Sequence, residues 1–356
     1  MQPDFSAKRP RSGINEKMKT ALICGISGQD GSYLARLLLD HGYEVVGTSR
    51  DAQMNSFANL DRLGIRERVR VVSVAMNDFR SVFQALNQVR PDEVYNLAGQ
   101  SSVALSFEQP VEALESITVG TLNLLESIRF LDRGIRFYNA GSSECFGDTG
   151  ELAADENTPF RPRSAYAVAK AAAFWEVANY REAYGLYACS GILFNHESPL
   201  RPERFVTQKI VRAACRIAAG QQEKLKLGNL AVQRDWGWAP EYVGAMRRML
   251  DQDRADDYVI ATGETNRLED FVAEAFRLVG LDWREHVERD ATLMRPTDLS
   301  VGHANPAKAR ERLGWTASCR MKDVVRQMVS ACQALNTDDE RGASVAGRAQ
   351  LPSAPL

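Results

Sequence analysis

Short apolar runs alternate with amphipathic stretches along most of the chain. The apolar runs predict strands near residues 21–24, 44–47, 69–74, 93–97, 137–140, 188–194 and 258–261. The amphipathic stretches between them predict helices, for example at 33–41, 81–88, 117–130 and 165–184. Strands and helices in alternation are typical of βαβ units around a parallel sheet. The pattern therefore predicts an α/β fold with a doubly wound parallel sheet.

The alternation becomes irregular after Phe194, where helical patterns dominate at 205–219, 268–279 and 321–335. We expect a sheet domain over residues 19–194, whose sheet also takes in about 232–262. A smaller, mostly α C-terminal lobe is expected from 195–231 and 263–335. The two ends, 1–18 and 336–356, are polar and without periodicity, which predicts a disordered extension and a disordered tail.

Composition narrows the class of protein. The 356 residues are 44% hydrophobic and 25% charged with a net charge of −2, so no general attraction to nucleic acid is expected. No apolar run approaches the ~20 residues that cross a bilayer, and the N-terminus lacks the apolar core of a secretory signal. These features predict a cytoplasmic enzyme that binds neither membrane nor nucleic acid.

The cysteines and histidines indicate neither disulfides nor a metal site. The six cysteines (24, 145, 189, 215, 319 and 332) contain no CxxC pair, and most lie in apolar or small-residue stretches. Buried free thiols in a reducing compartment are the expected state. No two of the four histidines have metal-ligand spacing, so no metal is expected.

A glycine-rich turn follows the first predicted strand. Gly25, Gly28 and Gly31 give the spacing GxxGxxG directly before a helix, with Gln29 and Asp30 inside the turn. Glycines let the backbone approach a pyrophosphate, which the helix N-terminus then stabilises. The motif predicts a Rossmann-type sheet that binds a nicotinamide dinucleotide; a tight turn without a ligand is the alternative.

Two further strand ends concern the same cofactor. Arg50 follows the second strand, where an arginine accommodates the 2′-phosphate of NADP, although Asp51 beside it could repel that phosphate. The fourth strand ends in Asn96-Leu97-Ala98-Gly99-Gln100, whose small residues would let the nicotinamide half pass close to the backbone. We expect NADP; a solvated Arg50 and a merely structural Asn96 turn are the alternatives.

Four side chains suggest the chemistry. Tyr166 and Lys170 are four residues apart, so on a helix they share one face. The ammonium of Lys170 is expected to lower the pKa of Tyr166 from its ordinary value of about 10. Ser142 could hold the substrate oxygen that Tyr166 deprotonates. Glu144 adds a carboxylate that simple alcohol oxidation does not need, which points to a reaction beyond hydride transfer.

From residue 20 to 335 the chain resembles the extended short-chain dehydrogenases, and among them the GDP-mannose 4,6-dehydratases. The most specific stretches are 28–34, 158–164, 191–199, 227–230, 234–237 and 258–263. The resemblance implies an NADP-binding Rossmann domain, a lobe that binds a GDP-sugar, and a homodimer or homotetramer.

The resemblance also implies roles for individual residues. The implied catalytic residues are Ser142, Glu144, Tyr166 and Lys170. The implied cofactor contacts are Gly25, Gly28, Gln29, Asp30, Gly31, Arg50, Asp78, Leu97, Ala98, Gln100, Tyr166, Lys170, Leu193, Asn195, His196 and Arg201. The implied substrate contacts are Ser102, Glu144, Asn195, Lys209, Leu227, Gly228, Arg234, Arg295 and Asp298. His196 takes no part in the expected chemistry and is expected to hold its own turn.

The chain departs from the family pattern at several positions. Ser142 stands where threonine is common, which keeps the hydroxyl. Residues 51–54 replace an arginine and a serine-rich loop that helps tetramers pair. Ala75 replaces an acidic residue near the adenine, which leaves Asp78 as the candidate there. Asp298 stands in place of a glutamate at the nucleotide ribose.

The expected reaction is an internal redox dehydration. Tyr166 takes the proton of the C4 hydroxyl while hydride leaves C4, and Glu144 then removes the C5 proton and assists departure of the C6 hydroxyl. Hydride returns to C6. An epimerase or 4-keto reductase of the same superfamily would keep Ser142, Tyr166 and Lys170 but would need no base at C5. A non-catalytic nucleotide-sugar binding protein is a further alternative.

Overall fold

The computed structural model describes residues 18–131 and 134–346, with side chains up to 334. The predicted extension 1–18 therefore lies outside the described residues, apart from Met18. The strands described are β1 (Thr20–Cys24), β2 (Glu44–Ser49), β3 (Arg70–Ser73), β4 (Glu93–Asn96), β5 (Arg136–Ser142), β6 (Ala188–Leu193), β7 (Asn195–Glu197), β8 (Leu225–Leu227), β9 (Gln233–Trp238), β10 (Tyr258–Ile260), β11 (Thr265–Arg267) and β12 (Val287–Arg289).

The main sheet is parallel throughout and has the order β10-β6-β5-β4-β1-β2-β3. All seven strands that the apolar runs predict are its members. The order reverses between β1 and β4, and a crevice opens there outside the carboxyl ends of the strands. That crevice receives the ends of β1, β4 and β5, which carry the predicted chemistry.

Helices cover both faces of this sheet. The helices that the structure describes, in both the sheet domain and the lobe, are α1 (Gln29–Asp40), α2 (Ala58–Arg62), α3 (Phe79–Val89), α4 (Val103–Glu108), α5 (Pro110–Leu114), α6 (Gly120–Leu131), α7 (Ala165–Tyr184), α8 (Val206–Ala218), α9 (Ala239–Leu250), α10 (Leu268–Leu278), α11 (Trp283–His286), α12 (Ala307–Leu313) and α13 (Met321–Ala346). Side chains of β1 alternate between two apolar clusters, one shared with α1 and α9 and the other with α3, α6 and α7. None of the described helices has the length and apolarity to cross a bilayer.

The segment 232–262 does not enter the main sheet as a whole. Only β10 joins it, whereas β9 lies in a separate three-stranded sheet with β7 and β11. Between them, α9 packs against α1 on the face of the main sheet. The chain therefore crosses from the sheet to the lobe at β7 and returns through α9.

The C-terminal lobe has its own apolar core, formed mainly by α8, α10 and α13. The last helix runs to Ala346, beyond the point where a disordered tail was expected at 336. Once the packed part of a helix is formed, each further residue adds a hydrogen bond without a new nucleation cost, so the helix can extend past its apolar stripe. The rest of the expected tail, 347–356, lies outside the described residues.

Candidate active site

The glycine turn is shaped by close backbone approach. Gly25 has a φ of +86°, and a Cβ there would lie 2.8 Å from the carbonyl oxygen of Leu97 at the end of β4. A Cβ on Gly31 would lie 2.3 Å from the carbonyl oxygen of Gly25. Glycine at both positions lets α1 begin directly behind β1. The N-terminus of α1 consequently faces the crevice, an arrangement that fits the pyrophosphate of a dinucleotide.

The side chains of Gln29 and Asp30 are bound within the protein. Gln29 donates to the carbonyl oxygen of His196 at 3.1 Å and accepts from the hydroxyl of Ser198 at 2.7 Å. Asp30 accepts from Nε2 of His196 at 2.9 Å, and Nδ1 of that ring donates to the carbonyl oxygen of Phe194 at 2.7 Å. Together these bonds connect α1 to β7.

The charges of this pair stabilise each other. Burial alone would lower the pKa of His196, but the carboxylate of Asp30 outweighs it and the pKa is raised. Burial alone would raise the pKa of Asp30, and the His196 charge turns the shift downward. The pair is therefore an ion pair at the floor of the crevice, with the His196 ring stacked on Tyr242.

Three predicted cofactor residues lie apart from this floor. The side chain of Arg50 is 83% exposed and pairs with Glu112 of α5 at 3.2 Å. Asp78 is the N-cap of α3 and accepts from the backbone N–H of Arg80 at 2.9 Å. Gln100 exchanges hydrogen bonds with the backbone of Ser102 and so braces the turn after β4. Ala98, a fourth, packs partly buried against the core behind the sheet.

A cleft of about 460 Å³ lies between the carboxyl ends of the strands and the C-terminal lobe. Its lining residues come from segments that are far apart in the sequence, from Asp30 to Asp298. The predicted site residues that line it are Asp30, Leu97, Ser102, Ser142, Glu144, Tyr166, Lys170, Leu193, Asn195, His196, Arg201, Lys209, Leu227, Gly228, Arg234, Arg295 and Asp298. All four predicted catalytic residues and all predicted substrate contacts are among them.

Two local elements hold the catalytic residues. Ser142 ends β5, and its hydroxyl accepts from the backbone N–H of Glu144 at 3.3 Å in a single 3₁₀ turn. Tyr166 and Lys170 lie in the first two turns of α7, whose N-cap is Ser164. The ammonium of Lys170 donates to the carbonyl oxygen of Ala140 at 2.7 Å. Strand end and helix start therefore meet at one wall of the cleft.

The expected effect of Lys170 on Tyr166 is wrong. Burial raises the pKa of Tyr166 above its ordinary value of 10, and a hydrogen bond with Ser142 offsets this only in part. Burial also lowers the pKa of Lys170 to about 8. The physical reason is that both groups are desolvated, so each favours its neutral form. The phenol is therefore protonated, and Lys170 is the group that changes charge near neutral pH.

The pKa of Glu144 is set by burial and by two nearby cations. Burial raises the pKa of this carboxyl, and the cations Arg234 and Arg295 offset part of the rise. A carboxyl whose pKa moves toward neutrality can accept a proton in one step and return it in the next. Its position two residues past Ser142 puts this acid/base group on the same wall as Tyr166.

Cations gather at the lobe side of the cleft. Arg234 on β9 donates to the carbonyl oxygens of Gln233 and Leu299, each at 2.9 Å. The carboxylate of Asp298 lies 3.4 Å from Arg234 and 3.6 Å from Arg295, so it holds the two guanidinium groups near each other. Lys209 enters from α8. This arrangement suits a diphosphate, which guanidinium groups bind by strong charge-assisted hydrogen bonds.

Family comparison agrees with this geometry. The model of the GDP-mannose 4,6 dehydratase family matches residues 22–328. The chain is 46% identical to GDP-mannose 4,6 dehydratase 1 of Arabidopsis thaliana, over 89% of this chain and 91% of that protein. It is 44% identical to the GDP-mannose 4,6-dehydratase of Sinorhizobium fredii, over 87% and 95%. The chain belongs to the GDP-mannose 4,6-dehydratase family.

Solved structures place this member of the dehydratase family in a wider fold group. A Thermus thermophilus UDP-glucose 4-epimerase, solved with NAD, has a TM-score of 0.77 and 26% identity, covering 88% of this chain and 99% of that one. A Bacillus anthracis dTDP-glucose 4,6-dehydratase, also solved with NAD, has a TM-score of 0.77 and 18% identity, covering 90% and 98%. The second likeness concerns the fold alone.

Sequence reasoning missed several residues of the dehydratase cleft. Buried Glu197 accepts from the hydroxyl of Thr207 at 2.7 Å and lies 3.3 Å from Nε of Arg201. The guanidinium of Arg201 also stacks over the ring of Phe205 at 3.8 Å. A carboxylate beside a buried strand end was the available signal for Glu197. Arg201 lies four residues and Thr207 ten residues further on, and only folding brings the three side chains together.

Proposed function

We propose that the protein is a GDP-mannose 4,6-dehydratase, which converts GDP-D-mannose to GDP-4-keto-6-deoxy-D-mannose by moving hydride from C4 to C6 with loss of water. The observation that carries the proposal is Glu144, a carboxyl of raised pKa on the same cleft wall as Tyr166 and Lys170. Oxidation at C4 needs only Ser142, Tyr166 and Lys170. Elimination across C5 and C6 needs the additional acid/base group that Glu144 supplies.

Each proposed step assigns a proton to a protein group. When bound, a nicotinamide cofactor supplies the acceptor for the C4 hydride and the donor for C6. Ser142 holds O4, and the pair formed by Tyr166 and Lys170 takes the proton of the C4 hydroxyl. The 4-ketone acidifies C5, whose proton moves to Glu144. Protonated Glu144 then gives its proton to the departing C6 hydroxyl, which leaves as water. Hydride at C6 and a proton at C5 would complete the 4-keto-6-deoxy sugar, and the proton taken from the C4 hydroxyl balances the one that C5 receives.

The first test is a mass measurement. Purified protein is incubated with GDP-mannose and a catalytic amount of NADP⁺. Loss of one water from the sugar nucleotide, without net formation of NADPH, is the expected result. Glu144→Gln should abolish the water loss, whereas Glu151→Gln, at an exposed position outside the cleft lining, should retain it.

An epimerase or 4-keto reductase is the competing function. The 26% identity to a UDP-glucose 4-epimerase is what favours it. An epimer of unchanged mass, or stoichiometric consumption of cofactor, would assign the protein to that class. Glu144 would then have no role in the chemistry.

NADP is our proposed cofactor, because Arg50 follows β2 where a 2′-phosphate would lie. Its present ion pair with the half-exposed Glu112 is a surface contact of modest strength, which a doubly charged phosphate can replace. The carboxylate of Asp51 accepts hydrogen bonds from the backbone N–H groups of Gln53 and Met54. These bonds stabilise its negative charge and so reduce its repulsion of a phosphate. Arg50→Ala should raise KM for NADP⁺ more than KM for NAD⁺.

We also propose a homodimer. The helices α5 and α7 pack against each other, and each exposes apolar side chains: Val111 and Leu114 on α5, and Val168 and Trp175 on α7. Large apolar side chains exposed on neighbouring helices are typical of surfaces that another protein covers. A second copy of the same face is the self-complementary partner that two-fold symmetry provides.

A further inference from the structure

Two cysteines of the C-terminal lobe face the same helix interface. Cys215 is on the buried side of α8, one turn after Val211, and Cys332 is on the buried side of α13, one turn after Met328. The two helices pack against each other, and both cysteines belong to the apolar cluster between them. They are only 4% and 6% exposed.

The two thiols interact with each other. A hydrogen bond between them raises the pKa of Cys215 and lowers the pKa of Cys332, because the two sulfurs share a proton. Burial opposes this fall in the pKa of Cys332, as Glu203 does more weakly, whereas the neighbouring cations Arg212 and Arg216 add to it. The side chains of Arg216 and Glu203 are close to half exposed, so the thiol pair lies just below the surface of the lobe.

The remaining cysteines lack these features. Burial raises the pKa of Cys24 and of Cys145 to about 12, which leaves both as unreactive thiols. Burial likewise raises the pKa of Cys189 far above its ordinary value. Cys319 is the most exposed, and its sulfur accepts from the amide of Gln327.

We propose that Cys215 and Cys332 form a redox site that closes reversibly to an intramolecular disulfide and ties α8 to α13. The oxidant is a low-molecular-weight disulfide. The thiolate of Cys332 attacks one of its sulfurs and releases the first small thiol. The thiol of Cys215, losing its proton, then attacks the sulfur of Cys332 and releases the second. Two protein thiols are oxidised, and one small disulfide is reduced to two thiols.

The expected consequence is a change in stability of the lobe. The disulfide would close a long loop and so reduce the conformational freedom of the unfolded chain. Neither cysteine lines the cleft, although α8 carries Thr207 and Lys209 into it two turns earlier. Disulfides in reducing compartments are usually transient and redox-sensing, which is the kind of use that a paired, near-surface site fits.

The test is oxidation of the full chain with oxidised glutathione. We expect the intact mass to fall by two hydrogens, and peptide mapping after alkylation of the remaining thiols to join Cys215 to Cys332. The midpoint of thermal unfolding should rise by about 4 °C or more, and a dithiol reductant should reverse both changes.

Three variants separate this site from general oxidation. Cys215→Ala and Cys332→Ala should each abolish the mass loss and the thermal shift, whereas Cys319→Ala should retain both. If either alanine variant fails to fold, the peptide map of the oxidised wild-type chain decides alone. A stable glutathione adduct on Cys215 or Cys332, or a map in which both stay free while Cys319 reacts, would overturn the proposal.

Discussion

Glu144 and Lys170 lie in one cleft, and burial shifts their acid/base equilibria toward each other. It raises the pKa of the carboxyl and lowers that of the ammonium to about 8, because each loses hydration when charged. Lys170 therefore changes charge close to neutral pH, and Glu144 holds its proton more readily than an ordinary carboxyl does. At the scale of the residue, desolvation more than any single neighbour prepares the site for proton transfer.

The raised pKa of Glu144 predicts the acid side of the pH profile. Elimination needs the carboxylate, which is lost as the pH falls through the pKa of Glu144. The rate of dehydration should therefore begin to fall at a higher pH than an ordinary carboxyl with a pKa of about 4.3 would produce. Measuring kcat for water loss between pH 4 and 7 checks this, with the folded state monitored at each pH. A profile that stays flat down to pH 4 would contradict the role of Glu144.

The alkaline side belongs to Lys170. Because the phenol of Tyr166 is protonated, the pair can take the C4 proton only when Lys170 is neutral, so kcat/KM should rise as the pH passes about 8. Lys170→Met should lower the rate by about 10²–10⁴ and remove this rise. Lys322→Met, on the exposed side of α13, is the matched control and should behave as wild type. An unchanged alkaline limb in Lys170→Met would assign the rise to another group.

At the scale of elements, the turn between β1 and α1 depends on how closely two backbones approach. The Gly31 position has no space for a Cβ, since the Gly25 carbonyl oxygen would lie 2.3 Å away. Gly244 lies in the interior of α9, and a Cβ added there would have no atom within 4 Å. A side chain is therefore excluded at Gly31 but can be accommodated at Gly244.

These two positions give a paired prediction. Gly31→Ala should push α1 away from β1, with lost stability of about 1–3 kcal/mol and weaker cofactor binding. Gly244→Ala should leave cofactor binding unchanged and stabilise the protein by about 0.5–1 kcal/mol, because alanine is the better helix former. Chemical unfolding and titration with NADP⁺ measure the two effects. Equal behaviour of the two variants would show that the close approach at Gly31 is unimportant.

At the scale of the whole molecule, the exposed apolar side chains of α5 and α7 form the face that we propose for the dimer. Trp175 is 62% exposed on it, and Val111 is 63% exposed. Tyr166 and Lys170 lie on α7 itself, and α5 packs against that helix. Assembly on this face would therefore hold the start of α7 in place.

A charged side chain placed on this face should disrupt the proposed homodimer. Val168→Glu puts a charge at the proposed dimer interface and should halve the mass in solution, because an unpaired carboxylate cannot be buried cheaply. Light scattering after gel filtration measures the mass. Leu152→Glu, at an 81% exposed position in the turn that pairs with 301–303, should leave it unchanged. A wild-type chain that is already monomeric would refute the proposed homodimer.

Local pattern was sufficient for much of the fold and for the core of the site. The seven strands of the main sheet are visible as apolar runs because a parallel strand is buried on both faces. The quartet of Ser142, Glu144, Tyr166 and Lys170 is visible because each pair lies within one turn of chain. The substrate-binding cations, Arg234 and Arg295 among them, were implied only by resemblance to a family. All of them line the cleft.

The sequence by itself determined which strands form the sheet, where the glycine turn lies and which four side chains share the cleft wall, because these depend on neighbours along the chain. Only the tertiary structure decided that β9 leaves the main sheet and that Arg50 pairs with Glu112. It also decided that burial raises the pKa of Tyr166 by more than the hydrogen bond with Ser142 lowers it. Those outcomes depend on solvent exclusion and on contacts between distant segments, which no local pattern contains.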